Sequence, residues 1–369
     1  MISETQTKRS NAFVSLSNNT VFIERIAKFI TISFFIVLTC ALTALVFPSL
    51  FGTFGERLAT EAKDSIAFMY SSGNLKILYM YIAVFLIDLY CLGYKKSALK
   101  SVLNPDNSTK TDIFIFILRF CGLWRYVVML SFFMIGYKIL NLVNANAQTS
   151  FLHYIPNYFL QTLVFFLVYD FLGYWRHRYG HRVSWWWAVH RLHHSAEKFN
   201  IITVGRSHPV DLALTGIFVS IPMALLGAPI ETYIAFELLK SAQGKLQHSM
   251  VDWDFGILGK YVFMSPLAHR VHHSADPIHW DKNFGHFLVI WDRMFGTWYD
   301  GKEINTRIGL WGNSGNQKGF VYDVVQGQLE FLTLFFSKWK FKVGVLKPHR
   351  VPILSQEYRK GLENEGKEP

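Results

Sequence analysis

Twelve of the chain's 14 histidines fall between His177 and His286, a window of 110 residues in which even scattering would leave about four. Their spacing limits what the chain can become more than any other feature. The clusters read HRYGH at 177–181, HRLHH at 190–194, QH at 247–248 and HRVHH at 269–273. Residues three and four apart share one face of a helix. His177 with His181, His190 with His194 and His269 with His273 are therefore i, i+4 pairs, and His193 and His272 add an i+3 imidazole to the last two groups. Imidazole is the commonest protein metal ligand, and presenting it at helical spacing is how HExxH helices hold zinc. One such pair alone is more often part of an ordinary core. Three pairs plus His248 give nine candidate ligands, about what two metal ions need at four to five each.

Composition decides where such a site would sit. Hydrophobic residues make up 51% of the chain and aromatics 17%, with 33 Phe, against 17% charged, which is apolar for a water-soluble globule. The net charge of +11 does not point to nucleic acid. No basic run of five or six residues occurs, and the positive residues flank apolar segments as orientation charges do. Cys40, Cys91 and Cys121 lie inside apolar stretches without a CxxC partner, so neither a disulfide framework nor a thiolate metal site is expected. The polar N-terminus lacks a cleavable signal pattern, and insertion would rest on uncleaved spans.

The expected fold class is all-α: a polytopic membrane bundle of about four spans plus a re-entrant hairpin. The spans are read at 29–46, 77–93, 126–143 and 158–175. Basic residues follow the second and fourth, so the positive-inside rule places the histidines on the cytoplasmic face. That face is the inner membrane's in a bacterium and the endoplasmic reticulum's in a eukaryote. The stretch 211–239 is divided by Gly227–Ala228–Pro229 into halves too short to span at about 20 residues each. It reads as a re-entrant hairpin whose second helix runs on to deliver His248. A short apolar run at 329–336 reads as an interfacial helix. The organisation is an N-terminal transmembrane region (1–155), a catalytic region (156–300), and a C-terminal interfacial helix with a polar tail (301–369).

Other residues are weighed singly. Asp170 lies two helical turns before His177, where a carboxylate could accept an imidazole N–H or pair with an arginine. Asp211 and Glu237 are weaker candidates of the same kind. His208, His279 and His286 are candidates to support the ligands from behind, as is Asn283, within the Asp281–Lys282–Asn283 loop. Trp185, Trp186 and Trp187 read as an interfacial aromatic belt.

Nitrogen-only ligation fits zinc, copper or iron. HRYGH, HRLHH and HRVHH, together with HWDKNFGHFLVIWDRMFGTW at 279–298, resemble the fatty acid hydroxylase / sterol desaturase superfamily over about residues 160–300. The nearest motifs are those of bacterial sterol-desaturase-like proteins and alkylglycerol monooxygenase. The resemblance implies an integral-membrane enzyme with two Fe ions, using O2 to hydroxylate or desaturate a sterol, fatty acyl, sphingolipid or ether lipid. It implies His177, His181, His190, His193, His194, His248, His269, His272 and His273 as ligands, with no catalytic residue beyond them. No fused cytochrome b5-like domain is evident, so electrons would come from a separate donor: a reductase, a cytochrome b5 or ferredoxin type, or a reduced pterin. Two rivals remain: a di-zinc membrane hydrolase, which would want a general base that no box contains, and a metal-binding or transport protein, whose histidines should line a span.

Overall fold

The structure, a computed structural model, describes residues 21–33, 69–124, 151–227, 230–301, 307–310 and 319–337, with isolated positions between 56 and 67. Among these residues every regular element is helical. The only β pairing there is two isolated bridges, Phe263 with Leu288 and Ser274 with Ile308.

Helix α1 covers 21–33. Its Ile23 and Ala27 are buried against Tyr322 and Val325 near the other end of the chain. It coincides with the first five residues of the span read at 29–46; the rest of that span, the whole of 126–143, and both polar termini lie outside the described residues. Helix α2, Ser72–Leu92, is capped by the Ser71 side chain, which accepts from Asn74 N, and stops at Gly93 (φ 67°). After the short α3 (Ala98–Leu103), helix α4 (Asn107–Phe120) starts on the Asp106 side chain, an acceptor for an otherwise orphaned N–H. Helix α5, Tyr158–Arg182, begins on Asn157 in the same way.

Helices α2 and α5 are the two described helices long and apolar enough to cross a bilayer. In α2, Tyr79, Ile82, Leu86 and Tyr90 are all exposed, an outward apolar surface that water would penalise.

The stretch read as a hairpin forms α7 (Pro209–Thr215), one π-helical turn (Gly216–Ser220), α8 (Ile221–Leu226) and α9 (Ile230–Gln247). The break falls at Gly227 (φ 76°), and α9 does run to the residue before His248. Leu152, Phe165 and Tyr169 pack with Val219 and Met223, joining α5 to the π turn and α8.

The C-terminal run expected at 329–336 is part of a longer helix, α13 (Phe320–Ser337), with α10 (Gly256–Tyr261), α11 (Pro266–His272) and α12 (Ile290–Met294) before it. It does not stand alone at an interface. Phe331 is buried with Trp186, Ala188 and Val189 of α6 (Ser184–His194), and with Val210. Trp186 therefore belongs to the core, and not to the aromatic belt expected for the three consecutive tryptophans.

Candidate metal centre

The histidine boxes occupy helix ends. His177 and His181 sit in the last two turns of α5, His190, His193 and His194 at the end of α6, and His269 and His272 in α11, with His273 as its C-cap. Ser265 caps α11 and Pro266 follows at its first position, where a missing N–H costs nothing. Gly180, inside HRYGH, explains how α5 and α6 approach: a Cβ there would stand 3.3 Å from the His190 ring.

Eight of the nine imidazoles form two sets. His177, His181, His194 and His272 make one; His193, His248, His269 and His273 make the other. Within each, one ligand nitrogen per residue lies within 4.8 Å of all the rest. An ion about 2.1 Å from each nitrogen, the usual imidazole distance, fits such a set. The sets adjoin: the His194 and His273 rings are stacked at 4.2 Å, and those of His193 and His273 are 4.6 Å apart. His190 belongs to neither, although its ring lies 5.0 Å from that of His181.

Hydrogen bonding sets the tautomers. His177 Nδ1 donates to Phe284 O (2.9 Å), His193 Nδ1 to Arg206 O (3.0 Å), His248 Nδ1 to Gly244 O (2.8 Å) and His272 Nδ1 to Lys282 O (2.8 Å). A carbonyl only accepts, so in each ring Nδ1 carries the proton and Nε2 keeps its lone pair. The Nε2 atoms of His177, His194, His272 and His273 are buried without a hydrogen-bond partner. Buried polar atoms are ordinarily satisfied, so a cluster of orphaned lone pairs is what a cation site looks like. Burial holds His193, His194, His269 and His273 well below the usual imidazole range, with neighbouring imidazoles adding to the effect. It lowers His272 to about 3 and His248 to about 4. The rings are therefore neutral near pH 7, the form that binds metal.

The carboxylate behind the imidazoles is Asp211. It accepts from His190 Nδ1 (3.0 Å), Trp186 Nε1 (2.8 Å) and Arg176 (3.3 Å). Asp170, expected to serve a ligand or an arginine, does neither. Its oxygens accept from Phe287 N, Leu288 N and Trp291 Nε1, so it anchors the loop whose Phe284 carbonyl orients His177. Asn283 (φ 56°) ties that loop to α11: its Nδ2 donates to Ala268 O and its Oδ1 accepts from Tyr299 N. Asp281 pairs with Arg182 at 2.7 Å. His208 has both ring nitrogens engaged, accepting from Val210 N and donating to Val324 O, and serves as the N-cap of α7. His279 is buried beside Ser274 and Tyr299, while His286 stacks on His177 at 5.3 Å.

One anchor had no sequence signal. Arg206, fully buried, pairs with Asp112 at 2.6 Å and bonds Ser108 and Ser195. Asp112 also accepts from Asn200 and Thr203. This network fixes α4 to the segment whose Arg206 carbonyl orients His193. Nothing in the spacing of Asp112 and Arg206, 94 residues apart, announces it.

A cavity of about 440 Å³ is bordered by His177, His190, His193, His248 and His269, and also by residues of α2, α4, α5, α7 and α9. That volume lies in the range of small-molecule sites, roughly 300–1,000 Å³.

Residues 162–297 match the fatty acid hydroxylase family. The chain is 33% identical over 167 residues to the ornithine lipid hydroxylase of Rhizobium tropici, covering 45% of this chain and 50% of that protein. It is 40% identical over 134 residues to the alkylglycerol monooxygenase of Danio rerio and 37% identical over 134 residues to that of Homo sapiens, each covering 36% of this chain and 29% of the relative. The chain thus spans half or less of the length of these relatives. No solved structure matches it. All the boxes, and the loop that orients them, lie within residues 162–297, the stretch over which the chain is similar to the fatty acid hydroxylase family.

Proposed function

We propose that the protein is a membrane-bound di-iron oxygenase that hydroxylates or desaturates a lipid, with His177, His181, His194 and His272 holding one iron and His193, His248, His269 and His273 the other. The observation that carries this reading is the pair of adjoining four-imidazole sets opening on one cavity. Iron in such a site supplies the O2 activation needed to attack an unactivated C–H bond. The chain's own part is to keep the ligand lone pairs aimed, through the Phe284, Arg206, Gly244 and Lys282 carbonyls, and to enclose the substrate away from water. His190, held by Asp211, stands where it can complete the first site or brace it. Helices α2 and α5 are read as spans, with the site at the cytoplasmic surface and substrate arriving from the bilayer. Electrons come from a separate donor.

The di-zinc hydrolase reading is less well supported. Both sets consist of imidazoles alone, and the carboxylates bordering the cavity beside them, Asp211, Asp170 and Glu237, are engaged by protein donors. Metal analysis of anaerobically purified protein, followed by lipid profiling of a host with and without it, tests the proposal. Two irons per chain and a lipid that gains one oxygen or loses two hydrogens, dependent on O2, is the expected result. Zinc with O2-independent cleavage would sink it.

A further inference from the structure

The cavity beside the histidines carries more positive charge than its own carboxylates neutralise. Asp211 is taken by Arg176, His190 and Trp186. Asp170 is taken by backbone and indole N–H groups. Glu237 accepts from Tyr169 and lies 3.6 Å from Lys240. Two further cations on the cavity wall, Arg119 and Lys245, make no ion pair among the described residues.

One of them is not an ordinary surface charge. Lys245 is 2% exposed. Among the described residues its ammonium has only Ser241 for hydrogen bonding, and it lies 4.3 Å from the centroid of the Tyr81 ring. Burial lowers it to about 8, and the charge of Arg119 pushes in the same direction, so the two cations feel each other. Among the described residues Arg119 donates one hydrogen bond, to Gly205 O at 3.3 Å, out of the five its guanidinium can make. Its side chain is exposed and borders the open space of the cavity. Asp112, which acts on Tyr81 as Arg119 does, is spoken for by Arg206, Asn200 and Thr203. A buried ammonium held beside a guanidinium of like charge destabilises a fold unless something compensates it. Guanidinium and ammonium donors facing one space are the chemistry that seats a phosphate or carboxylate.

We propose that Arg119 and Lys245 seat the oxyanion head, a phosphate or a carboxylate, of an amphiphilic substrate whose chain fills the apolar remainder of the cavity. Ile77, Leu78, Phe116 and Phe120 supply that remainder. This names the substrate class of the oxygenase site and rests on that reading only in calling the occupant a substrate; the binding selectivity stands by itself.

The test uses the full-length chain in an uncharged maltoside detergent, titrated with dodecyl phosphate, laurate, 1-dodecanol and inorganic phosphate, with binding read from tryptophan fluorescence. Dodecyl phosphate, laurate or both are expected to bind at least tenfold more tightly than dodecanol. Arg119→Gln with Lys245→Gln is expected to erase the difference at unchanged dodecanol affinity and metal content, and Arg119→Lys with Lys245→Arg to restore most of it. Equal affinity of the charged and neutral probes overturns the proposal, as does undiminished selectivity in the double glutamine variant. Inorganic phosphate binding as tightly as dodecyl phosphate overturns it in favour of a free-ion site. If the glutamine variant does not fold, the comparison of probes on the unaltered protein decides. Failure of the oxygenase reading would show separately, in metal identity and O2 consumption, and leaves this selectivity untouched.

Discussion

His248 Nε2 and His269 Nε2 face each other at 3.4 Å across 21 residues of chain. With His248 Nδ1 bonded to Gly244 O, His248 offers a lone pair at that point, and the contact is long for a hydrogen bond of good geometry. It is close to the separation of two nitrogens each about 2.1 Å from one tetrahedral ion, roughly 3.4 Å. Removing either imidazole should therefore empty one site and spare the other. His248→Ala is expected to lower metal content from two ions per chain to about one, measured by elemental analysis, with turnover abolished. His208→Gln, which removes a ring whose nitrogens are both committed to the protein, is expected to keep both ions. Loss of both ions in His248→Ala with the helical spectrum intact would argue against separate tetrads.

Asp211 touches His190, Arg176 and Trp186 at once. Asp211→Asn keeps the shape but loses the charge, leaving Arg176 without its ion pair and His190 free to choose its other tautomer. Removing such a support typically costs about 10–100-fold in metal affinity or activity. The expected outcome is a turnover loss in that range with metal retained in excess iron. An unchanged rate would reduce Asp211 to a packing role.

The helical class, the four histidine groups and the run of α9 up to His248 were all legible, because i, i+4 spacing and apolar run length are local properties. The division of nine histidines into two sets of four, with His190 apart, was not. That division depends on how α6, α9 and α11 meet, which no spacing within a box encodes. Choosing between Asp170 and Asp211 failed for a related reason. Helical periodicity puts Asp170 on the face of His177, but the loop at 287–291 folds back and takes its oxygens first. Asp211 reaches His190 from a helix that follows in the chain. Arg206 with Asp112 was missed because a buried pair 94 residues apart leaves no pattern.

That pair carries its own prediction. Both side chains are fully buried at 2.6 Å, and breaking such a pair by removing one partner costs about 3–5 kcal/mol. Asp112→Ala should therefore lower the unfolding free energy by an amount in that range. Because Arg206 O orients His193, iron affinity should fall with it. Chemical denaturation in detergent together with iron titration checks both; a stability loss below about 1 kcal/mol would mean that the Ser108 and Ser195 contacts suffice to hold Arg206.

Acid should destabilise the metal-free protein through the imidazoles themselves. Unfolded histidine titrates near 6.5, whereas burial lowers His248 to about 4 and His272 to about 3. Between those values the unfolded chain binds protons that the folded chain refuses, so stability falls as pH drops below about 6.5 and levels off only below the folded values. At pH 5 one such histidine costs about 2 kcal/mol. The metal-free protein is therefore expected to unfold at markedly lower temperature at pH 5 than at pH 7.5. Metal at saturating concentration should raise the midpoint at pH 7.5, since it binds the folded lone pairs. A midpoint of the metal-free protein independent of pH over that interval would mean that water reaches the imidazoles and that the two sets are not the dry, neutral ligand clusters described above.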